Sequence, residues 1–203
     1  TSTVGNSAFG IHNTSATITN LINNNTISGT SADQFGHGIQ ADNITNITND
    51  GTISGTATTQ FGRGINFVNG SVTTNLTNSG TISGTTVTDD FAYGIDMNTN
   101  STLTTLINTG TITGIAAVDD GNAVYVDDAA TITTLTNSGT ISGTATRNVG
   151  TGVFPNDGST ITTLTNSGTI SGTAGGDIGA GILVDRANSV ITTLTNHGTI
   201  TGT

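Results

Sequence analysis

The sequence predicts an all-β chain, a parallel β-helix (β-solenoid) of about seven rungs of ~29 residues. Three observations point there: a long internal repeat, a period of two inside each repeat, and an apolar content too low for a thick core. The segment Gly-Thr-Ile-Ser-Gly-Thr, or a near copy, recurs with its isoleucine at Ile27, Ile53, Ile82, Ile112, Ile141, Ile170 and Ile200, at spacings of 26, 29, 30, 29, 29 and 30. A second apolar anchor stands six residues earlier each time, at Leu21, Ile47, Leu76, Leu106, Leu135, Leu164 and Leu194. A third, usually after glycine, falls at Ile11, Ile39, Ile65, Ile95, Val124, Val153 and Ile182.

Within a unit the strand signal is alternation. From Leu135 to Thr144 one parity reads Leu, Asn, Gly, Ile, Gly and the other Thr, Ser, Thr, Ser, Thr, the pattern of a half-buried strand punctuated by turn residues. No helical period competes with it. Each short strand shares its pattern with a partner one repeat away, so the economical arrangement stacks rungs in register and yields parallel sheets. At about 4.8 Å per rung, seven rungs make a rod roughly 33 Å long.

Composition agrees. Thr, Gly, Asn and Ser supply 115 of the 203 residues, and hydrophobic residues make up 32%, against about 45–50% in a compact globule. A solenoid needs only a thin apolar column, which Leu135, Ile141, Val153 and their equivalents would fill, with Phe35, Phe61, Phe91, Val149 and Ile178 as a further column. Burying one such side chain stabilises by about 1.5–3 kcal/mol, so the rod is stable where a lone rung is not. Two residues after each second anchor stands Asn23, Asn49, Asn78, Asn108, Asn137, Asn166 or Asn196. These seven are expected to form a structural ladder at a bend, each amide bonded to its neighbours along the axis. Gly29, Gly55, Gly84, Gly114, Gly143, Gly172 and Gly202 mark a corner with no room for a side chain. Residues 1–203 read as one solenoid domain, uncapped at both ends.

Units of the form Ile-Thr-Thr-Leu-Thr-Asn-Ser-Gly-Thr-Ile-Ser-Gly-Thr (Ile132 to Thr144 and Ile161 to Thr173) resemble the repeats in passenger regions of bacterial autotransporters and related large surface proteins. The resemblance covers essentially the whole chain. It implies a right-handed coil and export to the cell surface or medium. It is weak for activity, because such passengers include adhesins, fibres, proteases and cytotoxins. No translocator barrel accompanies the repeats and no protease-like insertion interrupts them, so the enzymatic members are poorly matched.

Charge and composition exclude several functions. A net charge of −10 with only Arg63, Arg147 and Arg186 as strong bases cannot neutralise a phosphate backbone, so nucleic acid is not an expected partner. The longest apolar run, Ile115 to Val118, is far too short for a membrane helix. There is no cysteine, hence no disulfide, thiolate or thiolate-bound zinc. No cofactor is expected.

Few residues suggest chemistry. Asp89–Asp90 and Asp119–Asp120 occupy equivalent positions, continued by Asn148 and Asp177. An acid pair on a β-helix face suits glycoside hydrolysis or weak Ca²⁺ binding, but an exposed acidic loop that keeps the rod soluble is the favoured reading. His12, His37 and His197 have no metal-ligand spacing and read as exposed or turn residues. The position before the third anchor carries His37, Arg63, Tyr93, Asn122, Thr151 and Ala180; variation there suits a recognition edge, but a surface site free to vary is the favoured reading. The three arginines fall at unrelated repeat positions.

The outward hydroxyl face is the sharpest lead. Thr26, Thr52, Thr81, Thr111, Thr140, Thr169 and Thr199 form one column. Ser28, Ser54, Ser83, Thr113, Ser142, Ser171 and Thr201 form the next, and Thr30, Thr56, Thr85, Ile115, Thr144, Thr173 and Thr203 a third. Such arrays resemble the faces of β-solenoid ice-binding proteins, although serine and Ile115 interrupt them. The expected function is therefore a structural segment of an extracellular fibre or cell-surface adhesin. It would associate with itself head to tail and meet a carbohydrate or a host or neighbouring cell surface. Ice binding is the alternative; polysaccharide cleavage ranks below it, and an enzyme is not expected.

Overall fold

The computed structural model describes residues 7–88 and 90–203. Twenty-one strands form three parallel sheets of seven strands each, and among the described residues there is no helix. One rung shows the plan. A strand of sheet 1 (Gly121–Val126) turns into sheet 2 (Thr131–Asn137), then into sheet 3 (Thr140–Ala145), and the chain rises to the next sheet 1 strand (Val149–Pro155). The strands pair with equivalent strands one rung away, so like residues meet: Leu106 with Leu135 and Leu164, Ile112 with Ile141, Val124 with Val153. The chain is a β-solenoid of about seven turns.

Sheet 3 follows the alternation in the sequence. Ile141 and Ala145 are buried while Thr140, Ser142 and Thr144 are half-exposed. Sheets 1 and 2 each carry one residue out of alternation, and these shape the rod. In sheet 2, Leu103 and Leu106 both face the core although three apart, so Thr104 and Thr105 both turn outward and the sheet bulges. In sheet 1, Ile95 and Met97 are core while Tyr93 and Asp96 face outward. Gly94 is the extra inward residue: a Cβ there would meet Ile112 Cγ2 at 2.7 Å. Two successive inward residues make the outer surface concave. Glycine or alanine recurs at this point in every rung (Gly38, Gly64, Gly94, Ala123, Gly152), so the bend is in register and the ladder survives it.

The three anchor columns form the core, as expected. Two others join them: Ile44, Leu103, Ile132 and Ile161 in sheet 2, and Ala41, Phe67, Met97 and Val126 at the end of sheet 1, with Ala123 beside them. Thr73 sits in the first of these columns and is fully buried; its hydroxyl donates to Ile44 O at 2.8 Å, which satisfies it. The expected column of Phe35, Phe61, Phe91, Val149 and Ile178 is not core. Four of the five are half-buried and Ile178 is exposed. The three phenylalanines stand one residue before a sheet 1 strand, and Val149 and Ile178 are the first residues of theirs; all lie outside the thin interior, where the rings find their apolar partners in neighbouring rungs instead.

The asparagine ladder is continuous through all seven predicted residues. Asn23 Nδ2 donates to Asn49 Oδ1 and Asn49 to Asn78 at 2.7 Å; the links onward to Asn108, Asn137, Asn166 and Asn196 are 2.8 Å. Each Nδ2 also reaches the turn carbonyl beside it and one in the next rung, as Asn137 does with Gly139 O at 3.2 Å and Thr169 O at 3.1 Å. The ladder therefore closes the bend between sheets 2 and 3. Asn137→Leu leaves the Asn108 amide without its acceptor and Asn166 Oδ1 without its donor, and should cost about 1–3 kcal/mol. A neutral result in urea denaturation would remove the ladder as a source of stability.

Candidate functional site

The predicted candidates are scattered by the fold. The threonine column from Thr26 to Thr199 lies in register on the outer face of sheet 3. Part of its hydroxyl lattice bonds to itself: Ser171 Oγ donates to Ser142 Oγ at 3.0 Å, and Thr173 and Thr203 share a 3.1 Å bond. Among the described residues, the acidic stripe gathers no ligand set. Asp89 lies outside the described residues. Asp90 is half-buried in a loop at φ 58°. Asp119 accepts from Asn148 Nδ2 at 2.7 Å, and Asp120 from Val149 N at 3.1 Å. The acids whose oxygens lie within 4.8 Å of one another are instead Asp127, Asp128 and Asp157, on the turn from sheet 1 to sheet 2.

The position expected to vary freely on the surface is not free. His37, Tyr93, Asn122 and Thr151 are buried there, and Arg63 is half-buried. They form the floor of the concave face of sheet 1. His37 departs from the exposed reading too, while His12 and His197 are exposed as expected. Arg63 and Arg186, unrelated by repeat position, line the same groove. It encloses about 500 Å³ and runs along the rod from Phe61 to Arg186.

Its walls are built from stacked equivalents. The first is aromatic: Phe35 stacks on Phe61 at 5.6 Å and Phe61 on Phe91 at 5.5 Å. The stack stops there, because the next rung places Asp120 at that position and the following one Val149. Across the bend, Tyr93 stacks on Tyr125 at 4.8 Å, with Phe154 edge-on to Tyr125 at 5.3 Å. Arg63 holds its guanidinium 4.1 Å above the Phe61 ring centre and 5.7 Å from that of Tyr93, geometry that favours a cation, and its Nε donates to Asp96 Oδ2.

The far wall is a polar network. Tyr125 Oη donates to Asp127 Oδ2 at 3.0 Å and accepts from Asn156 Nδ2 at 3.0 Å; Asn156 Nδ2 also reaches Asp127 Oδ1 at 3.2 Å. Two acceptors in the groove walls, Asp96 Oδ1 and Asn156 Oδ1, are buried without a hydrogen-bond partner. Four carboxylates (Asp96, Asp120, Asp127, Asp185) face two guanidiniums in the lining.

Burial governs the electrostatics. It pushes the Asp96 carboxyl up, against the pull of Arg63, and raises Asp120 against the hydrogen bond from Val149. It raises the Tyr93 and Tyr125 phenols, with Asp96 adding to the first and Asp127 to the second. His37 is lowered to about 3 by burial and then by Arg63. An arginine cannot accept, so the 3.1 Å contact from Arg63 Nη1 makes His37 Nε2 the acceptor and puts the ring proton on Nδ1. Asp96, Asp120 and Asp127 each keep one carboxylate oxygen on a donor of the protein itself, from Arg63, Val149 N and Tyr125.

Sequence reasoning missed Tyr125, Asp127, Phe154 and Asn156. One signal was available: all eight aromatic residues lie in sheet 1 strands or immediately before them. No protein-family profile, curated protein or solved structure matches the chain.

Proposed function

We propose that the chain is a structural β-solenoid segment of an extracellular fibre or cell-surface adhesin, able to associate end to end with further rungs of its own kind. The observation that carries this reading is the unbroken asparagine ladder, six links of 2.7–2.8 Å, running beside strands that pair in register throughout. Every rung is a template for the one above it. The outer rungs keep the interior pattern: Ile182, Leu194 and Ile200 continue the three core columns, as do Ile11, Leu21 and Ile27 at the opposite side. A second copy set in register would find matching side chains in all three columns, and a contact of this head-to-tail kind propagates. The resemblance of the repeats to autotransporter passengers supports a place outside the cell.

Sedimentation and negative-stain imaging of the purified chain over a wide concentration range test the proposal. Rods that lengthen with concentration are expected. Short particles of one length at every concentration would refute end-to-end association.

A further inference from the structure

We infer that the groove on the outer face of sheet 1 binds a neutral oligosaccharide laid along the rod axis. One sugar ring would seat on the face of Phe91, where a fourth aromatic ring would otherwise continue the stack, with its hydroxyls held by Asp120 and the Asn156–Asp127 network. The inference does not depend on how the rod assembles, because Phe91, Asp120, Asp127 and Asn156, which seat the ring and hold its hydroxyls, lie within interior rungs.

The shape of the site comes first. Phe35, Phe61 and Phe91 rise in near-parallel steps of 5.6 and 5.5 Å, and then the column drops to Asp120 and Val149. That change opens a step against the last ring. The groove's volume of about 500 Å³ lies within the roughly 300–1,000 Å³ of ordinary ligand sites. From the rung of Phe61 to that of Arg186 is four rung spacings, about 19 Å, room for a chain of sugar units and more than a single ring needs.

The chemistry of the lining then selects the class. A sugar ring joins an apolar C–H face to a rim of hydroxyls that both donate and accept. Phe91 offers the apolar partner. Asp120 keeps one carboxylate oxygen beyond the one that Val149 N occupies, and the half-buried Asp127 carboxylate lines the groove beside it. Arg186 supplies donors at the exposed rim. Four carboxylates against two guanidiniums disfavour sulfated or uronate-bearing chains. The polar wall is fixed before any ligand arrives, since Tyr125, Asp127 and Asn156 lock one another, which lowers the ordering cost of binding.

The test uses the full chain on an array of neutral hexose and N-acetylhexosamine oligosaccharides, with sulfated and uronate-bearing counterparts and oligolysine alongside, followed by calorimetry on any neutral hit. At least one neutral oligosaccharide should bind. Asp120→Asn, which removes the charge but keeps an acceptor for Val149 N, and Val149→Trp, which fills the step, should each weaken it about tenfold or more. Thr140→Val on sheet 3 should leave binding unchanged. Both groove variants replace half-buried side chains outside the core, so circular dichroism should show the parent fold. No neutral hit, a preference for the anionic probes or oligolysine, or affinity indifferent to both groove variants would overturn the inference.

Discussion

Gly143→Ala should destabilise the rod by more than about 4 kcal/mol, a loss in the range that single substitutions reach only through a severe local mechanism. The mechanism is backbone contact. A Cβ on Gly143 would lie 1.9 Å from Thr151 O, 2.3 Å from Gly121 O and 2.6 Å from Thr151 C. Those carbonyls belong to sheet 1 strands of two successive rungs, paired in register with each other, so neither can retreat without opening a sheet. No side chain in the neighbourhood can rotate to make room. Two further substitutions calibrate the effect. Gly158→Ala, at φ +75° with nothing within 4 Å of the added carbon, pays only for a left-handed backbone, about 1–2 kcal/mol. Gly152→Ala should fall between, because its column already accepts Ala123 in the rung below. Because repeat arrays open locally, hydrogen exchange across these rungs should accompany urea denaturation. If Gly143→Ala costs no more than Gly158→Ala, sheets 1 and 3 do not meet backbone to backbone.

That glycine column was legible as a place with no room for a side chain, although it lies inside the sheet 3 strands and not at a corner; the rung length, the core anchors, the asparagine ladder and the outward hydroxyls were legible too. All belong to stretches where alternation is unbroken or where one residue type recurs without exception. Sheet 1 was misread because its alternation slips at Gly94 and its equivalents. Counting in twos from Ile95 places Tyr93 on the core side and Asp96 outside, whereas both face the groove. Phe35, Phe61 and Phe91 look like core by hydropathy alone, yet they lie half-buried at the start of the sheet 1 strands, outside the interior, and the rings gain their apolar contact by stacking along the axis. The groove itself depends on differences between rungs, Asp120 in place of phenylalanine and Tyr125 in place of Asp96, and a search for likeness passes over these. Handedness leaves no trace in a spacing, since either hand gives the same period.

Arg63→Met should cost about 3–5 kcal/mol at neutral pH, the penalty of stranding one member of a buried ion pair. Asp96 is 1% exposed, its Oδ1 has no hydrogen-bond partner, and Oδ2 depends on Arg63 Nε. Methionine keeps much of the apolar stem over Phe61, so packing alone predicts a smaller loss. The pH profile separates charge from packing. Burial already raises the Asp96 carboxyl in the fold, and loss of the guanidinium raises it further. Below about pH 4, the unfolded value, the carboxyl is protonated in both states and the cost should be least. It should grow as pH rises through the elevated folded value. His37 acts in the opposite direction: held down to about 3 in the fold by burial and by Arg63, it is neutral where the unfolded chain takes up a proton. Its contribution is full above about pH 6.5 and falls as pH drops toward 3. Parent and variant should therefore both decline on the acid side, the variant less steeply because Arg63 no longer depresses His37; His37→Gln should remove this decline, and the two should diverge toward neutral pH. Asp96→Asn in the Arg63→Met background should recover most of the loss. An equal cost at pH 4 and pH 8, or no recovery with Asp96→Asn, would mean that Arg63 serves as a packing strut over Phe61, and that the ion pair does not hold the groove's floor in place.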